Sequence, residues 1–162
     1  MIYILIIVLG IVLDRLSKLY AINNFIEKPI NTPFINLTYL ENRGAAFGIL
    51  QDKRIFFLII TLAIVLYLIH YFYRSYKSNP VILNVSIAMI ISGALGNFYD
   101  RFFNGFVVDF IEFSFFTFPI FNIADIFVTL GCGLMILYIV FIHEDKKWLG
   151  SYSKRGIRER IF

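Results

Sequence analysis

Residues 55–73 read IFFLIITLAIVLYLIHYFY, nineteen positions without a single Asp, Glu, Lys or Arg. A helix rises about 1.5 Å per residue, so such a run covers most of the ~30 Å of hydrocarbon in a bilayer. Only helices and closed barrels satisfy their own backbone inside lipid, and an apolar run of this length is helical. Three more stretches are largely apolar and of similar length: 1–20, clean only to Leu13, 81–99 (VILNVSIAMIISGALGNFY) and 122–142. The expected fold is therefore an all-α membrane protein with four transmembrane helices, at about 1–20, 55–73, 81–99 and 122–142. Composition agrees. Hydrophobic residues make up 59% of the chain and charged residues 16%, against a usual charged share of roughly 25%. With 19 Phe and 10 Tyr, the 162 residues carry more apolar surface than a soluble domain of that size would bury.

The connections differ in kind. Residues 74–80, RSYKSNP, form a short polar hinge. Residues 21–54 form a long loop whose segment PFINLTYLENRGAAFGIL is rich in β-formers before turning to Gly and Ala. This predicts a small β-rich region at the membrane surface between spans 1 and 2. Residues 101–121 are highly aromatic but too interrupted for a fifth span, and read as an interfacial segment. The N-terminus has an apolar stretch without a basic n-region or a small-residue cleavage site, so it reads as a retained first span. The whole chain, 1–162, is expected to be one membrane-embedded domain, with 143–162 a basic tail.

Charge helps with orientation. The tail holds Lys146, Lys147, Lys154, Arg155, Arg158 and Arg160. Dense Lys/Arg next to a span marks the cytoplasmic side, which predicts both termini in the cytoplasm. The formal charge of +4 does not point to nucleic acid, because the basic residues form no patch interleaved with base-reading side chains. The single cysteine, Cys132, excludes an intrachain disulfide and a Cys-based metal cluster.

On that topology four aspartates share one edge of the membrane: Asp14, Asp100, Asp109 and Asp125. Charges inside spans are costly and normally pair or carry function. Asp14 and Lys18 are spaced i,i+4 and can pair on one helix face. Asp100 has Arg101 beside it and can also pair with cations elsewhere. Asn97 and Arg101 are also spaced i,i+4 and are expected to face the same way as Asp100. Asp109 and Asp125 have no Lys or Arg within seven residues. If those two meet in a poorly hydrated site, both cannot easily ionise, and the pair shares a proton. That arrangement suits activation of a water by one carboxylate and protonation by the other. The spacing also fits a proton relay in a transporter, or a scaffold protein in which acids merely pair with cations. A relay would extend acids through the membrane depth, whereas these stop at one edge. There is no Gly-x-Ser-x-Gly elbow, no HExxH pattern and no Gly-rich phosphate loop, and His70 and His143 lie at the opposite ends of their spans.

These residues resemble, in order, the motifs of the bacterial lipoprotein signal peptidases (signal peptidase II). LDRLSK carries Asp14 and Lys18. ENRGAAFGIL carries Asn42, Gly44, Ala45, Ala46 and Phe47. GALGNFYDR carries Gly96, Asn97, Asp100 and Arg101. VVDF carries Asp109, and FNIAD carries Asn122, Ala124 and Asp125. The resemblance implies an aspartic endopeptidase of the cytoplasmic membrane, with its site near the extracytoplasmic face. It would cleave a prolipoprotein's signal peptide just before a diacylglyceryl-modified cysteine. Asp109 and Asp125 would be the catalytic pair. Asp14, Lys18, Asn42, Gly44, Asn97, Asp100, Arg101, Asn122 and Ala124 would support the site or bind substrate, with Asp100, next to Arg101, an ion-paired support. No metal or cofactor is implied. The expected partners are the prolipoprotein and membrane lipid, with no nucleic acid, and the chain is expected to work as a monomer. Two features depart from the family pattern: a short, Phe-rich stretch between Asp109 and Asp125, expected to reshape the substrate lip, and Glu41 before Asn42.

Overall fold

A computed structural model describes residues 1–45 and 49–143. Ala46, Phe47 and the basic tail past residue 143 lie outside the described residues. Four long helices and two strands follow in order: α1 (Ile2–Asn24), β1 (Ile35–Asn42), α2 (Arg54–Ser75), α3 (Val81–Phe103), β2 (Val107–Phe113) and α4 (Ile123–Leu137). A π-helical turn, Tyr138–His143, continues α4.

Among the described residues, three helices are long and apolar enough to cross a membrane: Arg54–Ser75, Val81–Phe103 and Ile123–Phe141. α1 equals them in length, but Asp14, Arg15 and Lys18 interrupt its apolar run. Two helices outlast the hydropathy that announced them. α1 continues to Asn24 and α3 to Phe103, because backbone hydrogen bonding does not stop where the side chains turn polar.

α3 is the axis of the bundle, packed by α1, α2 and α4. It buries Ile87, Ala88 and Ile91, whereas α2 buries only Val65. Small residues set the spacing. A Cβ on Gly93 would overlap the Ala124 carbonyl oxygen, and one on Gly96 would lie 2.6 Å from Asp14 Oδ2. At the far end, buried Asn84 closes the α2–α3 hairpin by donating to the Tyr76 carbonyl at 2.8 Å.

The sheet differs from its expected place. It is not confined to the loop between α1 and α2, because β1 pairs antiparallel with β2, which comes from the aromatic segment after α3. The register runs from Ile35↔Phe113 to Asn42↔Val107, with a bulge between Leu37 and Leu40. Val107, Val108, Asp109 and Phe110 are all buried, so β2 has no water-facing side at its start and shows no alternating pattern to find in the sequence. Phe121 then bridges back to Ile111. That return delivers Asn122 and the start of α4 beside Asp109.

Candidate active site

Asn122 caps α4. Its side-chain oxygen accepts from the Asp125 backbone N–H at 3.0 Å, and Asp125 Oδ2 accepts from the Asn122 backbone N–H at 3.1 Å. This is a reciprocal capping box, which satisfies two of the donors every helix start leaves unpaired. One carboxylate of the site thus also begins the helix that carries it.

The amide of Asn122 points the other way, to Asp109 Oδ1 at 2.6 Å. Asp109 Oδ2 accepts from Asn42 Nδ2 at 2.8 Å. Asn42 is a diagonal neighbour of Asp109 across the β1–β2 ladder, within reach of a polar side chain. Asp125 Oδ1 accepts from Asn97 Nδ2 at 2.7 Å. The two carboxylates therefore stand in one network, each held by amide donors. They share the wall of a cavity of about 480 Å³ with Asn42, Asn97 and Arg101. Its apolar lip is Phe113, Phe118, Pro119, Ile120 and Phe121, part of a cluster of mutually contacting rings. Burial raises Asp109 from the ordinary 3.8 to about 7, with the charge of Asp125 acting in the same direction. The Asn42 and Asn122 donors and Lys18 oppose that rise without cancelling it.

Behind the cavity lies an ionic cluster. Lys18, fully buried, reaches Asp14 Oδ2 at 2.8 Å and Asp100 Oδ2 at 2.9 Å. Asp14 Oδ1 accepts from the Ala124 backbone N–H at 2.9 Å. Asp100 also meets Arg15 at 3.2 Å and the Val108 backbone N–H at 3.3 Å.

The structure pairs Asp14 with Lys18 as expected. Asp100 pairs with cations elsewhere, Lys18 and Arg15, which corrects the expectation that it faces the same way as Asn97 and Arg101. Adjacent residues on a helix point about 100° apart, so Asp100 turns to α1 while Asn97 and Arg101 face the cavity. Arg101 stacks over Phe57 at 4.7 Å and donates to the Gly44 carbonyl at 3.0 Å. Gly44 in turn donates its N–H to Asn42 Oδ1 at 2.9 Å. Glu41 stays outside the cavity, accepting from Arg43 at 3.0 Å and from Tyr39 at 3.2 Å.

Two residues of the surroundings were missed by sequence reasoning. Arg15 was visible as a charge in a span, which is itself a signal that it pairs. Arg54 donates to the carbonyls of Arg101 at 2.7 Å and Phe102 at 2.6 Å, capping the end of α3, and nothing local foretells it. Among the described residues, no three His, Cys, Asp or Glu side chains form a group that could hold a metal ion.

Known proteins resemble this chain in sequence and in fold. The family model described as "Signal peptidase (SPase) II" matches residues 6–141. A lipoprotein signal peptidase of Clostridium tetani (strain Massachusetts / E88) is 47% identical over 152 residues, covering 89% of this chain and 97% of the relative. One from Clostridioides difficile (strain 630) is 41% identical, covering 91% of this chain and all of the relative. A bacterial membrane enzyme solved by the in meso method superposes with a TM-score of 0.80 at 39% identity, covering 89% of this chain and 90% of that one. The chain belongs to the signal peptidase II family, the lipoprotein signal peptidases.

Proposed function

We propose that this protease uses Asp109 and Asp125 as an aspartic dyad to cut the signal peptide from diacylglyceryl-modified prolipoproteins, immediately before the lipidated cysteine. The observation that carries the reading is the shared cavity wall: two carboxylates, each fixed by amide donors, beneath an apolar lip. Asp109, with its pKa near 7, carries the shared proton. Asp125 takes a proton from water as the water oxygen bonds to the peptide carbonyl carbon, and Asp109 gives its proton to the carbonyl oxygen. Asp125 then passes its proton to the nitrogen as the C–N bond breaks. Asp109 recovers a proton from the tetrahedral hydroxyl. Asn42, Asn97 and Asn122 hold the carboxylates, and Arg101, on the cavity wall, binds substrate oxygens. The aromatic lip takes the lipid-bearing side of the substrate.

In this reading α1 is the fourth span. Its charges turn inward, with Asp14 and Lys18 buried, while Ile4, Leu5, Val8, Leu9, Val12 and Leu16 face outward, where lipid is their fitting solvent. The dense Lys/Arg of the tail puts both termini in the cytoplasm and the site near the extracytoplasmic face of the cytoplasmic membrane. The enzyme works as a monomer, since one chain supplies both carboxylates and the cavity.

Purified Asp109→Asn and Asp125→Asn are each expected to lose cleavage of a lipid-modified precursor while melting as cooperatively as the unsubstituted protein. Undiminished cleavage by either would sink the dyad. Failure of the well-folded unsubstituted protein to cut any such precursor would sink the peptidase reading.

A further inference from the structure

The three asparagines around the dyad share a property. An amide can face a neighbour with either its oxygen or its nitrogen, and the hydrogen-bond surroundings decide which. The Asn42 oxygen is held by the Gly44 backbone N–H, and the Asn122 oxygen by the Asp125 backbone N–H. Neither donor can accept, so both nitrogens are forced toward the carboxylates. Asn97 lies within a helix, and among the described residues no backbone N–H fixes its oxygen. The Asn97 oxygen instead accepts from Lys18 Nζ at 2.9 Å and from Asn122 Nδ2 at 3.2 Å.

We infer that Lys18 is a positioning residue for the dyad: its ammonium locks the Asn97 amide so that the nitrogen donates to Asp125. An ammonium has three donors and no acceptor. Were Asn97 reversed, its NH₂ would face the ammonium and its oxygen would face Asp125. That reversed orientation suits only a protonated Asp125, which could donate to the oxygen. The lysine therefore acts through one amide to favour the form of Asp125 that takes a proton from water. This rests on the dyad reading above.

The charged groups facing this network are few. α1 brings Asp14, Arg15 and Lys18, α3 brings Asp100 and Arg101, β2 brings Asp109 and α4 brings Asp125. Removing Lys18 alone would strand Asp14 and Asp100, so the test uses Asp100→Asn as its background. That change relieves one stranded carboxylate and leaves the Lys18–Asn97 bond in place. On this background Lys18→Met, Asn97→Leu and both together are compared, with the pH dependence of kcat on a diacylglyceryl-modified precursor as the readout.

Hydrogen bonds to the charged form of a carboxylate favour that form. Each single addition is thus expected to move the acidic limb of the profile upward by about one pH unit, with KM little changed. The two together move it no further than Asn97→Leu alone, because residues acting through one contact are not additive. Asp100→Asn by itself does not move the limb upward. A Lys18→Met limb that stays put, or one that adds fully to Asn97→Leu, overturns the inference. Where Lys18→Met fails to fold, Asn97→Leu in the otherwise unsubstituted chain decides, since Lys18 there keeps both carboxylates; an unmoved limb refutes the lock. Retained cleavage in Asp109→Asn or Asp125→Asn would instead refute the dyad itself.

Discussion

Gly96→Ala places a methyl group where three elements of the site converge. The new Cβ would lie 2.6 Å from Asp14 Oδ2, 3.1 Å from Asp14 Cγ and 3.3 Å from Ala124 Cβ. Ordinary contact begins at 3.4 Å, so the Asp14 carboxylate must retreat by about 0.8 Å on that measure. It has nowhere to go, because Oδ2 is bound to Lys18 at 2.8 Å and Oδ1 to the Ala124 N–H at 2.9 Å. Either those bonds stretch beyond useful length or the first turn of α4 moves, taking Asn122 and Asp125 with it. Overpacking costs about 1–3 kcal/mol, and a lost bond to a charged group roughly 1.5–3 kcal/mol. A displacement approaching 1 Å at the reacting groups costs on the order of 100-fold in rate. Detergent-purified Gly96→Ala is therefore expected to melt lower and to lose about two orders of magnitude in kcat on a lipidated precursor. Gly133→Ala is the matched control: its Cβ meets nothing within 4 Å, and the variant should behave as the unsubstituted enzyme does. Near-normal kcat and melting in Gly96→Ala would show that the α1–α3–α4 junction yields freely, and would refute the reasoning.

Three further outcomes follow from the same structure. Because Asp109 is raised from 3.8 to about 7, the folded chain holds that proton more tightly than the unfolded one. Its favourable contribution is full below pH ~4 and is lost as pH rises to about 7, up to ~4 kcal/mol at 1.36 kcal/mol per unit. Asp109→Asn abolishes that titration, so its melting temperature should gain on that of the unsubstituted chain between pH 4 and 7 and hold level above; a gap independent of pH would contradict the raised value. In the unsubstituted enzyme, kcat should decline above about pH 7 as Asp109 ionises, and a flat profile to pH 9 would remove Asp109 as the proton donor. Arg54→Ala should lower stability by about 1 kcal/mol through loss of the two carbonyl contacts at the end of α3, and should raise KM more than it lowers kcat, since Arg101 sits on that turn while the carboxylates do not. An unchanged KM would show that the cap does not hold Arg101.

The helices were legible because their signal is local: a run of apolar residues of bilayer length needs no knowledge of partners. The sheet was only half legible. PFINLTYLEN announced β-structure, but its partner lies about 70 residues later in a segment buried on both faces, where alternation vanishes. At the site, Asp109 and Asp125 stood out because neither had a cation nearby in sequence, and the fold brings them to one cavity. Their amide donors are another matter. Asn42, Asn97 and Asn122 each come from a different element, and only the folded chain shows which way each amide faces. The partners of Asp100 were hidden for a related reason. Its nearest cation in sequence points elsewhere, and its true partners, Lys18 and Arg15, lie across a helix interface.

The buried ionic cluster also bears on how the chain is made. α1 precedes α3 in the chain and carries Asp14, Arg15 and Lys18, residues that insertion into lipid penalises unless they are neutralised. Asp14 and Lys18 pair within the helix. Arg15 and the second contact of Lys18 wait for Asp100, which is synthesised some eighty residues later. On the proposed reading of α1 as a span, that helix stands only partly compensated in the bilayer until its contacts with α3 form. The same contacts that brace the finished enzyme would then also complete the neutralisation its first helix needs in lipid.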